Sequence, residues 1–132
     1  MKTTIRWMLI FVMVTLAAPA LAVDAVQMFK CEMEDDATED EVTAIAKEWL
    51  TAARKTKGGE QLEVSLFFPI AVNVTGETDF LFMVHTPSVA QWGVFWDGYK
   101  DSPVAQVDAG IGSKVTCPHS ALWEVNKIAL KP

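Results

Sequence analysis

The run Phe80-Leu-Phe-Met-Val-His85 constrains the fold more than any other part of the chain. It is a short, almost wholly apolar stretch bounded by Asp79 and by Thr86-Pro87, the signature of a strand rather than a helix. Successive side chains on a strand point to opposite faces, so Phe80, Phe82 and Val84 point one way and Leu81, Met83 and His85 the other. Both sets are mainly apolar, and a sheet built around this strand must be covered on both faces. Thr86-Pro87 then breaks the strand. Threonine is a good N-cap and proline suits the first helical position, so a helix is expected from Pro87. Val89, Trp92, Trp96 and Tyr99 recur along it as one stripe of a 3.6-residue period, with Phe95 on its margin, and that stripe is expected to be buried.

Residues 1–22 read as a signal peptide rather than as part of the fold. Lys2 and Arg6 form a positive start, Trp7 to Leu16 an apolar stretch and Ala20-Leu-Ala22 a small-x-small cleavage site. The apolar stretch is short for a membrane span, which needs roughly 20 residues, and no cysteine follows the cleavage site to carry a lipid anchor. The expected product is exported, periplasmic or secreted, with residues 23–132 as a single domain. Removing Lys2 and Arg6 from the 11 basic residues leaves nine against 17 acids, a formal charge of −8. Such a surface repels nucleic acid and anionic membranes. Export also lets Cys31 and Cys117 persist as a disulfide. Nothing resembles a C-x-x-C motif or a zinc-ligand cluster, so no metal is expected.

In chain order, Val26 to Met33 reads as a first strand. The acidic run Glu32 to Glu41 lacks the glycine and the alternating ligands of a calcium loop, and reads as a solvated face. Within it Thr38-Glu-Asp-Glu41 is a capping box opening a helix with Val42, Ile45, Trp49 and Ala52 on one stripe, stopped by Gly58-Gly59. Gln61 to Phe68 alternates as a second strand, followed by a turn around Thr75-Gly-Glu77. Asn73-Val-Thr75 matches a glycosylation sequon. Asp101 to Pro118, with Pro103, Gly110, Gly112 and Pro118, is expected to be mostly loop, and Ala121 to Ala129 a last strand.

The order β-α-β-β-α-β is the split βαβ pattern, an α+β ferredoxin-like sandwich with a four-stranded antiparallel sheet. It places the end of strand one beside the start of strand four, where Cys31 and Cys117 lie. Two helices cover one sheet face only. The apolar second face then calls for a partner or a ligand cavity.

In element order, and in the strand-to-aromatic-helix segment Phe80 to Tyr99, the chain resembles the dimeric α/β-barrel families, in which two ferredoxin-like subunits pack sheet against sheet. The resemblance implies a homodimer. Its members include cofactor-free monooxygenases and haem-degrading enzymes. The latter place an asparagine on the first strand, and Val26 to Met33 contains none, so no catalytic residue is carried over.

His85 is the best single candidate for chemistry, since its apolar neighbours can shift its titration and it ends a strand. The structural reading, a histidine bonded to nearby backbone, is the simpler one. His119, in Cys-Pro-His-Ser, reads as a surface residue. Trp92, Trp96 and Tyr99 are core residues by periodicity, with a flat apolar pocket or a surface that stacks on a sugar as the second reading. Asp97 and Asp101 lie on the solvent side, and no G-x-S-x-G, H-E-x-x-H or phosphate loop is present. Two functions follow. One is a noncatalytic exported module binding a small apolar or aromatic ligand, or a protein partner, at the sheet face, with Met83, His85, Trp92, Trp96 and Tyr99 as candidate ligand contacts. The other is a cofactor-free monooxygenase or isomerase using His85. Neither calls for a cofactor.

Overall fold

The structure, a computed structural model, describes residues 24–71 and 79–128. The expected signal peptide at 1–22, the sequon at Asn73, the turn at 75–77 and the end of the expected last strand at Ala129 lie outside the described residues. The elements are β1 (Ala25–Met33), α1 (Glu39–Ala53), β2 (Glu63–Phe67), β3 (Phe80–Thr86), α2 (Val89–Tyr99), α3 (Pro103–Ile111) and β4 (Val115–Glu124). The strands form one antiparallel sheet in the order β2-β3-β1-β4. This is the ferredoxin-like α+β arrangement, with one helix more than the sequence pattern led us to expect.

α1 begins as its sequence dictates. The Glu41 N–H donates to Thr38 Oγ1 at 3.2 Å and the Thr38 N–H donates to the Glu41 carboxylate at 2.9 Å, which satisfies two amides that the first turn leaves without partners. The acidic run before it is fastened by Lys114, whose Nζ lies 2.9 Å from Asp36 Oδ2. That hydrogen bond and the lysine's charge hold the Asp36 carboxyl below its ordinary range. No group of three or more potential metal ligands occurs among the described residues.

Val42, Ala46, Trp49, Ala52 and Ala53 turn the buried side of α1 to the sheet. Trp49 packs edge-on against Phe82 of β3, with ring centres 5.3 Å apart, and against Phe95 of α2 at 6.1 Å. α1 ends at Ala53 with Arg54 as its C-cap, before the expected stop at Gly58-Gly59, and the two glycines serve a different purpose. Gly58 has φ +85°, and a Cβ there would lie 2.5 Å from the backbone nitrogen of Phe95. A Cβ on Gly59 would lie 2.0 Å from the Ala53 carbonyl oxygen. The loop therefore rests directly on the α2 backbone, as only glycine permits.

Four further expectations need correction. The α2 N-cap is Ser88, not Thr86: the Gln91 N–H donates to Ser88 Oγ at 3.0 Å, while Thr86 remains in β3 and donates its hydroxyl to the Ser88 carbonyl. The buried side of α2 runs through Trp92 and Phe95, which is fully buried, whereas Trp96 is 53% exposed and Val89 is also exposed. The Gly58-Gly59 loop draws the Phe95 side of the helix inward, and the expected stripe is rotated accordingly. Residues 103–111 are a helix rather than loop. Ser102 caps it, with Pro103 at the first position, and Val104 is fully buried with Val107 and Ile111 packed beside it.

The last correction concerns β4, which starts at Val115 rather than Ala121. Lys30 pairs with His119 and Glu32 with Thr116, so Cys117 and Pro118 stand together opposite Cys31 in a bulge. A proline without an N–H is tolerated there because β4 is an edge strand. The Cys31–Cys117 disulfide closes at this bulge, across 86 residues of sequence. Closing a loop of that length stabilises by roughly 2–5 kcal/mol. Reduction, or the Cys31→Ser/Cys117→Ser double variant, is therefore expected to lower the free energy of unfolding in urea by about 3 kcal/mol. An unchanged midpoint would mean that the β1–β4 hydrogen bonds hold this edge without the bridge.

Candidate functional site

Helix packing covers the sheet unevenly. α1, α2 and α3 sit over β2, β3 and part of β1, while on β4 Leu122 pairs with the helix-side residue Gln27 and yet remains exposed. Beneath the helices, toward the start of β4, this leaves a cavity of about 330 Å³. Phe29, Phe80 and Phe82 line it from the sheet, Val42, Ile45 and Trp49 from α1, and Trp96 and Tyr99 from α2. Asp108 and Ile111 of α3, Gly112, and Val115 and Cys117 of β4 complete it. Its volume falls at the low end of the range of about 300–1,000 Å³ usual for small-molecule pockets.

One polar pair interrupts this apolar lining. Tyr99 Oη donates a hydrogen bond to Asp108 Oδ2. The corner joining α2 to α3 aligns them: Ser102 Oγ donates to the Tyr99 carbonyl at 2.6 Å and accepts from the Ala105 N–H at 3.3 Å, which fixes the angle between the two helices. Tyr99 is half-buried and Asp108 exposed, so the pair marks the solvent side of the cavity. Burial first, and the Asp108 carboxylate second, push the Tyr99 phenol well above its ordinary range. Trp96 stacks on Tyr99 at 4.9 Å and on Trp92 at 5.7 Å, so the three rings form a short ladder along α2.

The candidate ligand contacts divide between two faces. Trp96 and Tyr99 line the cavity, while Trp92 lies deeper, tilted against Phe95, and does not. Met83 and His85 alternate with Phe82 and Val84 and so point to the far face of the sheet. There His85 Nε2 lies 3.2 Å from Ser65 Oγ, with Glu63 its partner in the β2–β3 register. A smaller hollow of about 260 Å³ adjoins His85, lined also by Asp24, Gln61 and Lys127. His85 is thus bonded to a neighbouring side chain rather than to backbone, and it has no access to the aromatic cavity. His119 is exposed on β4. Of the lining, sequence reasoning named only Trp96 and Tyr99 as ligand contacts; the residues from the sheet and α1 were read as core or strand residues, and Asp108 and Ile111 as loop. For Asp108 and Ile111 the signal was the α3 period itself, Val104, Val107 and Ile111, behind a Ser-Pro start.

No protein-family model matches the chain, and no curated protein matches it. Among solved structures, a hydroxynitrile lyase from Passiflora edulis superposes with a TM-score of 0.54 at 9% identity, covering 83% of this chain and 99% of that one. A dimeric ferredoxin-like protein of unknown function from Thermobifida fusca YX gives 0.53 at 14% identity, covering 79% and 92%. A protein assigned as a chlorite dismutase gives 0.50 at 11% identity, covering 78% of this chain but 44% of that longer one. The likeness to the dimeric α/β-barrel superfamily is one of fold.

Tyr99 is the chain's single tyrosine, which makes its titration directly readable from phenolate absorbance. It is expected to ionise above the usual value near 10. Asp108→Asn should bring it down only part of the way, because burial remains. The folded state favours the neutral phenol, so the associated stability is complete below about pH 10 and is lost as the pH rises further. Ionisation near pH 10 in the native protein would show that Tyr99 is free of Asp108 and open to water.

Proposed function

We propose that this chain is an exported, noncatalytic domain that binds one small apolar or aromatic molecule in the cavity between its helices and its sheet. The observation that carries this reading is the cavity itself, aromatic on several sides with a single polar pair toward solvent. That combination gives affinity through desolvated apolar surface and orientation through one hydrogen-bonding point. Export is supported by the leader-like residues 1–22 and by the Cys31–Cys117 bridge. Among the described residues no helix is long and apolar enough to cross a membrane.

The alternative, a cofactor-free monooxygenase or isomerase, needs a group that moves a proton inside the cavity. Among the described residues the Tyr99–Asp108 pair is the one candidate on the lining, and there the tyrosine proton is already committed to the carboxylate. We therefore favour binding without turnover.

Filling the cavity tests it. Val115→Phe is expected to weaken binding of a one-ring probe such as 2-phenylethanol by more than about tenfold, read by tryptophan fluorescence, since the added ring takes the ligand's space. His85→Ala should leave binding unchanged. Equal loss in both variants would point to a general effect on folding instead of a site.

We further propose that two copies pair through the face of the sheet away from the helices. Met28, Leu81 and Met83 lie at its centre, with Phe67 51% and Trp123 55% exposed toward its edges. An apolar patch of this kind is seldom left bare, and the Thermobifida protein of the same fold is described as dimeric. Light scattering over a dilution series should give twice the subunit mass. Leu81→Lys should weaken the dimer by at least about a hundredfold, because it buries a charge without a partner. A monomer at every concentration sinks the proposal.

A further inference from the structure

The cavity's charge selects among the apolar ligands that fit it. Among the described residues its lining contains one charged side chain, Asp108, and no lysine, arginine or histidine. Tyr99 commits its proton to that carboxylate, leaving its oxygen able only to accept. The donors that remain on the lining side chains are the neutral indole N–H groups of Trp49 and Trp96. A ligand carrying a carboxylate would set a second negative charge beside Asp108 with no cation to offset either. A ligand carrying an ammonium would instead meet a carboxylate and a phenol oxygen, both acceptors, at the end of an apolar slot.

We infer that the cavity takes a small organic cation, a primary arylalkylamine whose ring lies among the aromatic residues and whose ammonium sits between Asp108 Oδ and Tyr99 Oη. This rests on the cavity being a ligand site at all. The ammonium shares Asp108 with the tyrosine hydroxyl, whose bond to Oδ2 is kept, so carboxylate and phenol oxygen both accept from it. Asp108 is exposed, which limits the strength of the pair and makes it sensitive to salt. The chain's overall acid excess, 17 acidic against 11 basic residues, favours cation approach in a general way and must be separated from the effect of this one carboxylate.

The test compares three probes of similar shape, 2-phenylethylamine, 2-phenylethanol and 3-phenylpropanoate, by calorimetry on the full mature chain at neutral pH. The amine is expected to bind about tenfold tighter than the carboxylate, with the alcohol between them, a gap of the size that a solvent-exposed charge pair plus repulsion of the anion supplies. Asp108→Asn should bring the amine to within about twofold of the alcohol, and raised ionic strength should narrow the gap in the unaltered protein. Asp97→Asn, at an exposed acid of α2 that does not line the cavity, should leave the preference in place. If alcohol and carboxylate bind as well as the amine, or if the preference survives Asp108→Asn, the inference is wrong while the cavity remains a ligand site. If none of the three binds, the ligand-binding reading falls and takes this inference with it.

Discussion

The seating of Trp49 between Phe82 and Phe95 is the interaction on which the rest of the structure depends. It is the point where α1, the sheet and α2 meet, and each aromatic edge-to-face contact adds roughly 0.5–1.5 kcal/mol to the burial of the rings themselves. Because these large rings fill the space under α1 and α2, close packing is reached there and not beneath the turn that leads into β4. The cavity begins on one side of Trp49, which supplies part of its wall. Removing that indole would cost core stability of about 3–5 kcal/mol and would erase the boundary of the site at the same time.

Much of this arrangement was legible in the sequence because period and capping chemistry agreed. Thr38 and Glu41 announced α1, and the two-sided apolar run at 80–85 announced a central strand, which the β1–β3 and β2–β3 pairings bear out. The pairing of Cys31 with Cys117 was expected from export, and the element order agreed with it. The side of α2 that faces inward was not legible, since Trp92 and Tyr99 belong to the stripe through Phe95 as well as to the stripe through Trp96. The choice between them is made by a tertiary contact, the Gly58-Gly59 loop resting on the α2 backbone, and no local period records that.

Residues 101–124 were read least well, for two different reasons. In α3, Pro103, Gly110 and Gly112 look like loop punctuation, yet the proline stands at the first helical position, where it is tolerated, and Gly112 is the C-cap. The stripe of Val104, Val107 and Ile111 lay between these signals. β4 has no such pattern to find. Apart from Val115 its residues are exposed, so burial imposes no alternation on them, and its start is set by the bulge and the disulfide opposite Cys31.

The division of the candidate site follows from the pleat. Phe80 and Phe82 line the cavity, so Leu81, Met83 and His85 cannot reach it without a register slip that would turn the whole helix-facing set of β3 outward. A site that joins β3 to the aromatic residues of α2 must therefore use the even-numbered residues of the strand, and the two that reach the cavity are phenylalanines. Polar character has to come from the helices. It comes at the α2–α3 corner, where the Ser102 cap brings an exposed carboxylate to a half-buried phenol. The same corner ties the cavity's polarity to its shape, because the Ser102 hydroxyl that joins the end of α2 to the start of α3 also sets where Asp108 stands relative to Tyr99.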